Sequence, residues 1–244
     1  MKVYDAVREV VESGELISRE EIAEVVKEHQ PGISQSNLNW TIREVLSKTG
    51  VKSISKGKYQ KSEKYEFMPE YSPLTTEVGE FLISQFPGIV PVVWNTRILN
   101  YFSQHMLFNS FIVVEVEKEI IEPLFETLQV KFEDVFLEPS EEILWRYARK
   151  SEVIVVKKVV SQAPLLKFHE MKTVSLEKLI VDLHSKDAIL SPFHGGETLS
   201  IVRSIFQKHI IRFDRLMRYA GRRGLKPEVY QTLSDIAINH SYKF

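Results

Sequence analysis

The sequence contains no cysteine. This absence excludes disulfide bonds, thiolate nucleophiles and thiolate metal ligands. Long hydrophobic runs are missing as well, since no apolar stretch approaches the roughly 20 residues that a membrane-spanning helix needs. The first segment, MKVYDAVREVVESG, carries acidic residues at helical spacing and does not have the pattern of a signal peptide. We therefore expect a cytoplasmic protein.

The composition is that of a globular protein. Of its 244 residues, 43% are hydrophobic and 27% are charged, and this length suffices for one large or two ordinary domains. The net charge of −1 hides an uneven distribution: residues 1–28 carry eight acids and four bases, residues 43–64 seven bases and two acids, and residues 200–244 nine bases and three acids. Because local charge decides whether a surface attracts a polyanion, the two basic regions are candidates for nucleic-acid binding.

The N-terminal region shows the spacing of three helices followed by a hairpin. Ser18 and Glu21 form a capping-box pattern at the start of the second helix, which a Pro-Gly turn ends. Ser34 or Ser36 is expected to cap the third helix. The segments VKSIS and KYQKS then indicate two strands joined through Gly57. This order of elements is that of a winged helix-turn-helix.

The third helix and the hairpin carry the residues suited to binding duplex DNA. A helix fits the major groove, where Asn and Gln can bind adenine through two hydrogen bonds, while hairpin lysines would lie along the phosphates. The predicted DNA-binding residues are Gln35, Ser36, Asn37, Asn39, Arg43, Lys48, Lys52, Lys56, Lys58 and Lys61. Trp40 is expected to pack between the helix and the hairpin, with a contact to DNA as the alternative. The alternative is that this region binds protein and that the hairpin lysines are only solvated.

A polar stretch with Pro69 and Pro73 indicates a domain boundary. We predict a winged helix-turn-helix DNA-binding domain over residues 1–66, a linker over 67–74 and a second domain over 75–244. In the second domain, strand patterns such as FIVVEVEK and EVIVVKKVV alternate with helical patterns, and two long helical patterns follow at about 195–220 and 227–240. The predicted fold class is therefore α+β or α/β, a mixed α/β domain with C-terminal helices after the winged helix.

The basic C-terminal region follows a helical repeat. Arg215, Arg218 and Arg222 are spaced to share one helix face, and Arg223 is adjacent to them. The residues expected on the opposite, buried side are Phe206, Ile210, Phe213 and Met217. A second basic surface of this kind would add salt-dependent contacts with phosphates. The alternative is a solvated helix that pairs with the acidic part of the chain.

Evidence for catalysis is weak. Glu115 and Glu117 alternate along a predicted strand and would share one face, where two carboxylates could bind a divalent ion as in a metal-dependent nuclease. A lysine at the spacing of restriction-type nucleases is missing, and we favour a pair of solvated acids. The histidines that were considered as zinc ligands lack the required spacing: His184, His194 and His209. We expect no enzyme activity, no cofactor and no metal.

One segment, VSLEKLIVDLHSK, resembles a segment of the abortive-infection AbiE-type antitoxins. In that family an acidic residue, a basic residue and an apolar helix ending in Asp-Leu occur together. The matching positions are Ser175, Glu177, Lys178, Val181, Asp182 and Leu183. A Gly-Gly pair, Gly195-Gly196, follows as in many members, and the segments EVIVVKKVVSQAP and RLMRYAGRRG stand where members have a strand and a Tyr-Ala helix.

The resemblance implies a function. Proteins of that family are similar to transcriptional repressors of their own operon, which also encodes a nucleotidyltransferase-like toxin. Their winged helix binds inverted repeats in the promoter, and the C-terminal domain counters the toxin without a tight complex. Catalysis is not implied. The expected partners are therefore promoter DNA and, functionally, the toxin.

Overall fold

The computed structural model describes residues 6–7, 9–10, 17–48, 51–61, 67–104, 109–147 and 152–240, without the side chains of residues 47, 48, 52, 60, 61 and 237–240. The chain forms two compact units. The first comprises Met1–Glu66 and Lys208–Asp214, and the second comprises Phe67–Gln207 and Arg215–Phe244. No helix in the described ranges is long and apolar enough to cross a membrane.

The described residues of the first unit form two helices and a small sheet, after the helical residues 6, 7, 9 and 10. Its elements are β1 (Ile17–Ser18), α1 (Arg19–His29), α2 (Gln35–Lys48), β2 (Val51–Ser55) and β3 (Lys58–Lys61). The three strands are antiparallel in the order β1-β3-β2. At the turn between β2 and β3, Gly57 has φ +75°, a conformation that glycine adopts without steric cost.

The predicted helix starts of this unit are confirmed. The Ser18 hydroxyl accepts a hydrogen bond from the Glu21 backbone at 3.1 Å, and the Glu21 carboxylate accepts one from the Ser18 backbone at 2.6 Å. Ser34 caps α2, since its hydroxyl accepts from the Asn37 backbone at 3.3 Å. The two caps satisfy backbone N–H groups that have no partner inside the helix.

From Pro73 onward the chain alternates helices with short strands. The elements are α3 (Pro73–Gln85), β4 (Val92–Asn95), β5 (Ser110–Val116), α4 (Ile121–Lys131), β6 (Val135–Leu137), α5 (Glu141–Tyr147), β7 (Glu152–Lys158), β8 (Leu165–Phe168), β9 (Met171–Val174), α6 (Leu176–Asp182), α7 (Gly196–Lys208), α8 (Phe213–Arg223) and α9 (Lys226–His240). Short 3-10 helices cover Thr96–Tyr101, Lys118–Ile120 and Ala188–Phe193. Residues 67–72, which were expected in a linker, belong to the second unit, where the Tyr71 hydroxyl donates to the Val93 carbonyl at 2.6 Å.

These strands form one mixed six-stranded sheet in the order β6-β7-β5-β4-β9-β8. The pairs β6/β7, β7/β5 and β4/β9 are parallel, and β5/β4 and β9/β8 are antiparallel. The central strands β5 and β7 are buried on both faces, as their near-continuous runs of Val and Ile predict. The predicted mixed α/β architecture with C-terminal helices is confirmed at this level.

Two predictions about the C-terminal helices were wrong. The pattern at 195–220 is not one helix, because α7 ends at Lys208 and α8 begins at Phe213. The β-branched Ile210 and Ile211 in the interruption favour helix less than straight-chain residues do. The buried face of α8 also differs from the expected one: it consists of Leu216, Tyr219 and Ala220, whereas Ile210, Phe213 and Met217 are only half-buried.

Candidate nucleic-acid interface

The exposed face of α2 carries the predicted DNA-binding side chains. Helix α2 buries Leu38, Ile42 and Val45 in the core of the first unit, along one stripe of the helix. The exposed predicted residues are Gln35, Ser36, Asn37, Asn39 and Arg43. From the 3.6-residue repeat, Ser36 and Arg43 lie opposite the buried stripe, while Asn37 and Asn39 flank them. These five side chains are all polar or charged, and the first turn of α2 contains no acidic residue.

Trp40 is not packed between α2 and the hairpin as expected. Its side chain is 64% exposed, and it lies between Ser36 and Arg43 on the side of α2 that faces away from the core. The expectation was wrong because Leu38, Ile42 and Val45 already supply the buried stripe of α2. Trp40 thus occupies the middle of the exposed face.

Arg19, at the start of α1, contacts both α2 and the turn of the hairpin, and the sequence did not predict this role. Its Nη2 donates to Asn39 Oδ1 at 2.7 Å, and its backbone N–H donates to the Gly57 carbonyl at 2.7 Å. The start of α1, the middle of α2 and the hairpin turn are thereby linked. Asn39 keeps its amide N–H groups and a second lone pair on Oδ1, so it can still form the two hydrogen bonds that adenine recognition needs. No local pattern signals a contact across 20 positions.

The hairpin adds positive charge beside the helix. Lys56 and Lys58 are exposed, and Lys58 is opposite Ser18 in β1 and Ser55 in β2. Three further predicted residues belong to α2, β2 and β3, but their side chains lie outside the described part of the chain: Lys48, Lys52 and Lys61. The two described hairpin lysines therefore add exposed positive charge to this unit.

The second predicted basic surface consists of three arginines rather than four. Arg215, Arg218 and Arg222 are exposed on α8, and Arg222 Nε donates to the Ser161 hydroxyl at 2.8 Å. Arg223 instead lies 3.3 Å from a carboxylate oxygen of Asp182, and its side chain is only 20% exposed. It is half-buried and ion-paired with Asp182, so it is not part of the exposed face.

A buried group of charges lies behind α8. We refer to Trp94, Glu115, Lys178, Asp182 and Tyr219 as the Lys178 cluster. The Lys178 ammonium lies 2.8 Å from Glu115 Oε1 and 2.6 Å from Asp182 Oδ2. Trp94 Nε1 donates to Glu115 Oε1 at 2.9 Å, and the Tyr219 hydroxyl donates to Asp182 Oδ1 at 3.0 Å. Each of the five residues is at most 3% exposed, so the cluster is a satisfied ionic core.

The charges in this cluster stabilise one another. Burial alone would lower the pKa of Lys178, but the carboxylates of Asp182 and Glu115 outweigh it and raise that pKa. Burial would likewise raise the pKa of Asp182, yet the charges of Lys178, Arg223 and Lys157 hold it below its usual value. Burial raises the pKa of Tyr219, and its proximity to Asp182 adds to the rise. Lys178 and Asp182 are therefore both charged at neutral pH.

This geometry does not favour the pair of carboxylates considered as a metal site. Glu115 is ion-paired in the interior, whereas Glu117 follows the end of β5 and is exposed. Within the described ranges, no group of three or more His, Cys, Asp or Glu residues could hold a metal ion. The His184 ring nitrogens lie 2.8 Å from the Ile180 carbonyl and 2.8 Å from the Thr232 hydroxyl, and burial lowers the pKa of His184.

The comparison with curated proteins found no match. One family model matches residues 37–239, a stretch that begins in α2 and ends in α9 and so covers most of the chain. The family is described as a family of unknown function, DUF6577. The matched stretch of the chain includes Asn39, Arg43, the hairpin of the first unit and all five residues of the Lys178 cluster. The chain therefore belongs to the family of unknown function DUF6577.

Proposed function

We propose that this protein is a DNA-binding transcriptional autorepressor and antitoxin of an abortive-infection type toxin–antitoxin system, countering a nucleotidyltransferase-like toxin. Its first unit acts as a winged helix-turn-helix, with α2 as the recognition helix and the β2–β3 hairpin as the wing. The observation that carries this proposal is the exposed polar face of α2, beside Lys56 and Lys58 of the hairpin. Repression follows from occupancy of the promoter.

The contacts on DNA divide by chemistry. The first turns of α2 present Ser36 and Asn39 to base edges in the major groove, where an amide reads adenine. Gln35 is exposed at the start of α2, but it lies in line with the buried Leu38 and Ile42. Arg19 restrains Asn39 through its 2.7 Å hydrogen bond, which reduces the side-chain entropy lost on binding. Lys56 and Lys58 bind phosphates and set the position of the unit on the duplex. Specificity then comes from α2 and affinity from the hairpin.

The antitoxin part rests on the resemblance around α6. The segment Ser175–Leu183 supplies the Ser175 cap, in which the hydroxyl accepts from the Lys178 backbone at 3.2 Å, and two charges of the Lys178 cluster. These residues are buried, so they act on the fold of the second unit and not on a substrate. The proposal assigns the antagonism to that unit and does not require a stable complex with the toxin.

The first test is a fluorescence-anisotropy titration with the DNA upstream of the protein's own gene and with a scrambled duplex, at about 50 and about 200 mM salt. We expect tighter binding to the upstream DNA and a marked loss of affinity at the higher salt. A protein that binds neither duplex would not be a repressor of this kind.

A protein-interaction adaptor is the second candidate function. The observation in its favour is the exposed side chain of Trp40, because large aromatic residues on a surface are enriched at protein interfaces. This candidate predicts no salt-dependent affinity for DNA. The same titration therefore separates the two functions.

The double substitution Lys56→Ala and Lys58→Ala is expected to weaken binding to any duplex. If each lysine neutralises one phosphate, the slope of the logarithm of the binding constant against the logarithm of salt concentration should fall by about 2. The same titration at several salt concentrations measures that slope. Lys118→Ala with Lys167→Ala, two exposed lysines of the second unit, is the matched control. Unchanged affinity and slope in the hairpin variant would remove the hairpin from the interface.

A further inference from the structure

We propose that Trp40 reads thymine, by packing its indole ring against the C5-methyl group in the major groove. The inference rests on the proposed DNA-binding function and names the base that the centre of α2 recognises. Thymine is the base that presents a methyl group in that groove. An apolar ring is the matching surface for a methyl group.

The first argument is the exposure of Trp40. Its side chain is 64% exposed, whereas Trp94 in the second unit is 1% exposed. The buried hydrophobic cluster of the first unit is made by other residues, among them Ile22, Leu38 and Ile42. Trp40 is therefore not a core residue of the described unit, and its large apolar surface remains in water until a partner covers it.

The second argument is position. Trp40 follows Ser36 by four residues and precedes Arg43 by three, so these three side chains form one stripe opposite the core. When a helix enters the major groove, the stripe opposite its core is the one that lies deepest. Ser36 is small and leaves room for the indole ring beside it. The base edge that lies deepest below the helix is thus presented to Trp40, while Asn39, held by Arg19 at the flank of the stripe, is placed for a neighbouring base.

The third argument is charge. The positive groups on the exposed side of this unit include Arg43 on the same stripe, Arg19 bound to Asn39, and Lys56 and Lys58 of the hairpin. Glu44, one helical turn after Trp40, is half-buried. A partner for this surface must combine an apolar spot with surrounding negative charge. Duplex DNA has both, since the thymine methyl group lies in a groove lined by phosphates on either side.

The test combines a protein change with a DNA change. Wild type and Trp40→Ala are titrated against the upstream duplex and against the same duplex with deoxyuridine in place of every thymine, which removes only the methyl groups. We expect the wild type to lose about fourfold in affinity for each methyl group contacted. Trp40→Ala should bind more weakly than wild type and should bind the two duplexes equally.

Trp145→Ala is the matched control, because Trp145 is an exposed tryptophan of the second unit, with 75% of its side chain accessible. It should respond to deoxyuridine as the wild type does. An equal loss on deoxyuridine DNA in wild type and Trp40→Ala would overturn the thymine assignment while leaving DNA binding intact, and so would wild-type affinity in Trp40→Ala. Absence of binding to either duplex by the wild type would overturn the DNA-binding function itself, and the assignment with it.

Discussion

Replacing Lys178 with alanine is expected to lower the free energy of unfolding of the second unit by about 3–5 kcal/mol. The ammonium group is the common partner of Glu115 and Asp182, at 2.8 and 2.6 Å. Without it, Asp182 keeps Tyr219 and Arg223, whereas the one remaining partner of Glu115 among the described residues is the hydrogen-bond donor Trp94. A buried carboxylate left without a countercharge is costly, and this cost exceeds the worth of the lost ion pair.

Urea unfolding of the full chain, followed by tryptophan fluorescence, measures this effect. Trp94 reports on the second unit because it is buried against Glu115, while Trp40 and Trp145 are already exposed in the folded protein. Lys167→Ala is the matched control: this lysine is exposed, and its loss should change the unfolding free energy by less than about 0.5 kcal/mol. A Lys178→Ala protein as stable as the control would mean that the cluster does not contribute as an ionic core.

The difference in unfolding free energy between wild type and Lys178→Ala should become smaller in acid. In the wild type the pKa of Asp182 lies below its usual value of 3.8, so the stability that it contributes is present above about pH 4 and is lost as the pH falls through the lowered pKa. Because this contribution depends on the charge of Lys178, its loss brings the unfolding free energies of wild type and Lys178→Ala closer together as the pH falls below about 4. The urea titration repeated at several pH values checks this direction.

Glu115→Gln is expected to destabilise the second unit by about 3 kcal/mol, whereas Glu117→Gln should change stability by less than about 0.5 kcal/mol. Glutamine keeps the shape of the side chain and an acceptor for Trp94, but it removes the charge that faces Lys178. Glu117 is exposed and makes no comparable ion pair among the described residues. The two variants are a matched pair, because they change the same residue type two positions apart.

This pair also decides between the structural role and the nuclease hypothesis. The metal hypothesis requires both carboxylates for cleavage and predicts that either variant abolishes Mn²⁺-dependent cutting of plasmid DNA without a change in stability. The ionic-core assignment predicts a large stability change in Glu115→Gln alone. Cleavage by the wild type that both variants lose at unchanged unfolding free energy would restore the metal site.

Features that depend on residues close in sequence were predictable. The capping box of Ser18 and Glu21 and the Ser175 cap involve groups three positions apart, and the Gly57 turn depends on one residue's backbone freedom. The strands β5 and β7 follow from β-branched runs, which fit a sheet covered on both faces. The hairpin of β8 and β9 was missed because each strand has only four residues and lacks such a run.

Contacts between distant segments were not predictable. The sheet order places β4 between β5 and β9, and no periodicity in a single sequence encodes that neighbourhood. Lys178 and Glu115 are 63 positions apart. Read locally, Lys178 is a charge on a short helix and Glu115 an acid on a strand; only their burial on facing elements makes them partners. For that reason Glu115 was expected to be a solvated acid, with a metal ligand as the alternative, whereas it is buried and ion-paired with Lys178.

The candidate interface likewise combines features that are local in the sequence with features that depend on tertiary packing. The amino-acid sequence by itself determined that α2 has an apolar stripe and a polar face and that basic residues follow it, because the helical repeat and the charge of each residue are local properties. That Arg19 binds Asn39, and that Trp40 is left in water at the centre of the exposed face, depended on how α1, α2 and the hairpin pack around their shared core. Packing decides which side chains are covered, and it involves segments that are far apart along the chain.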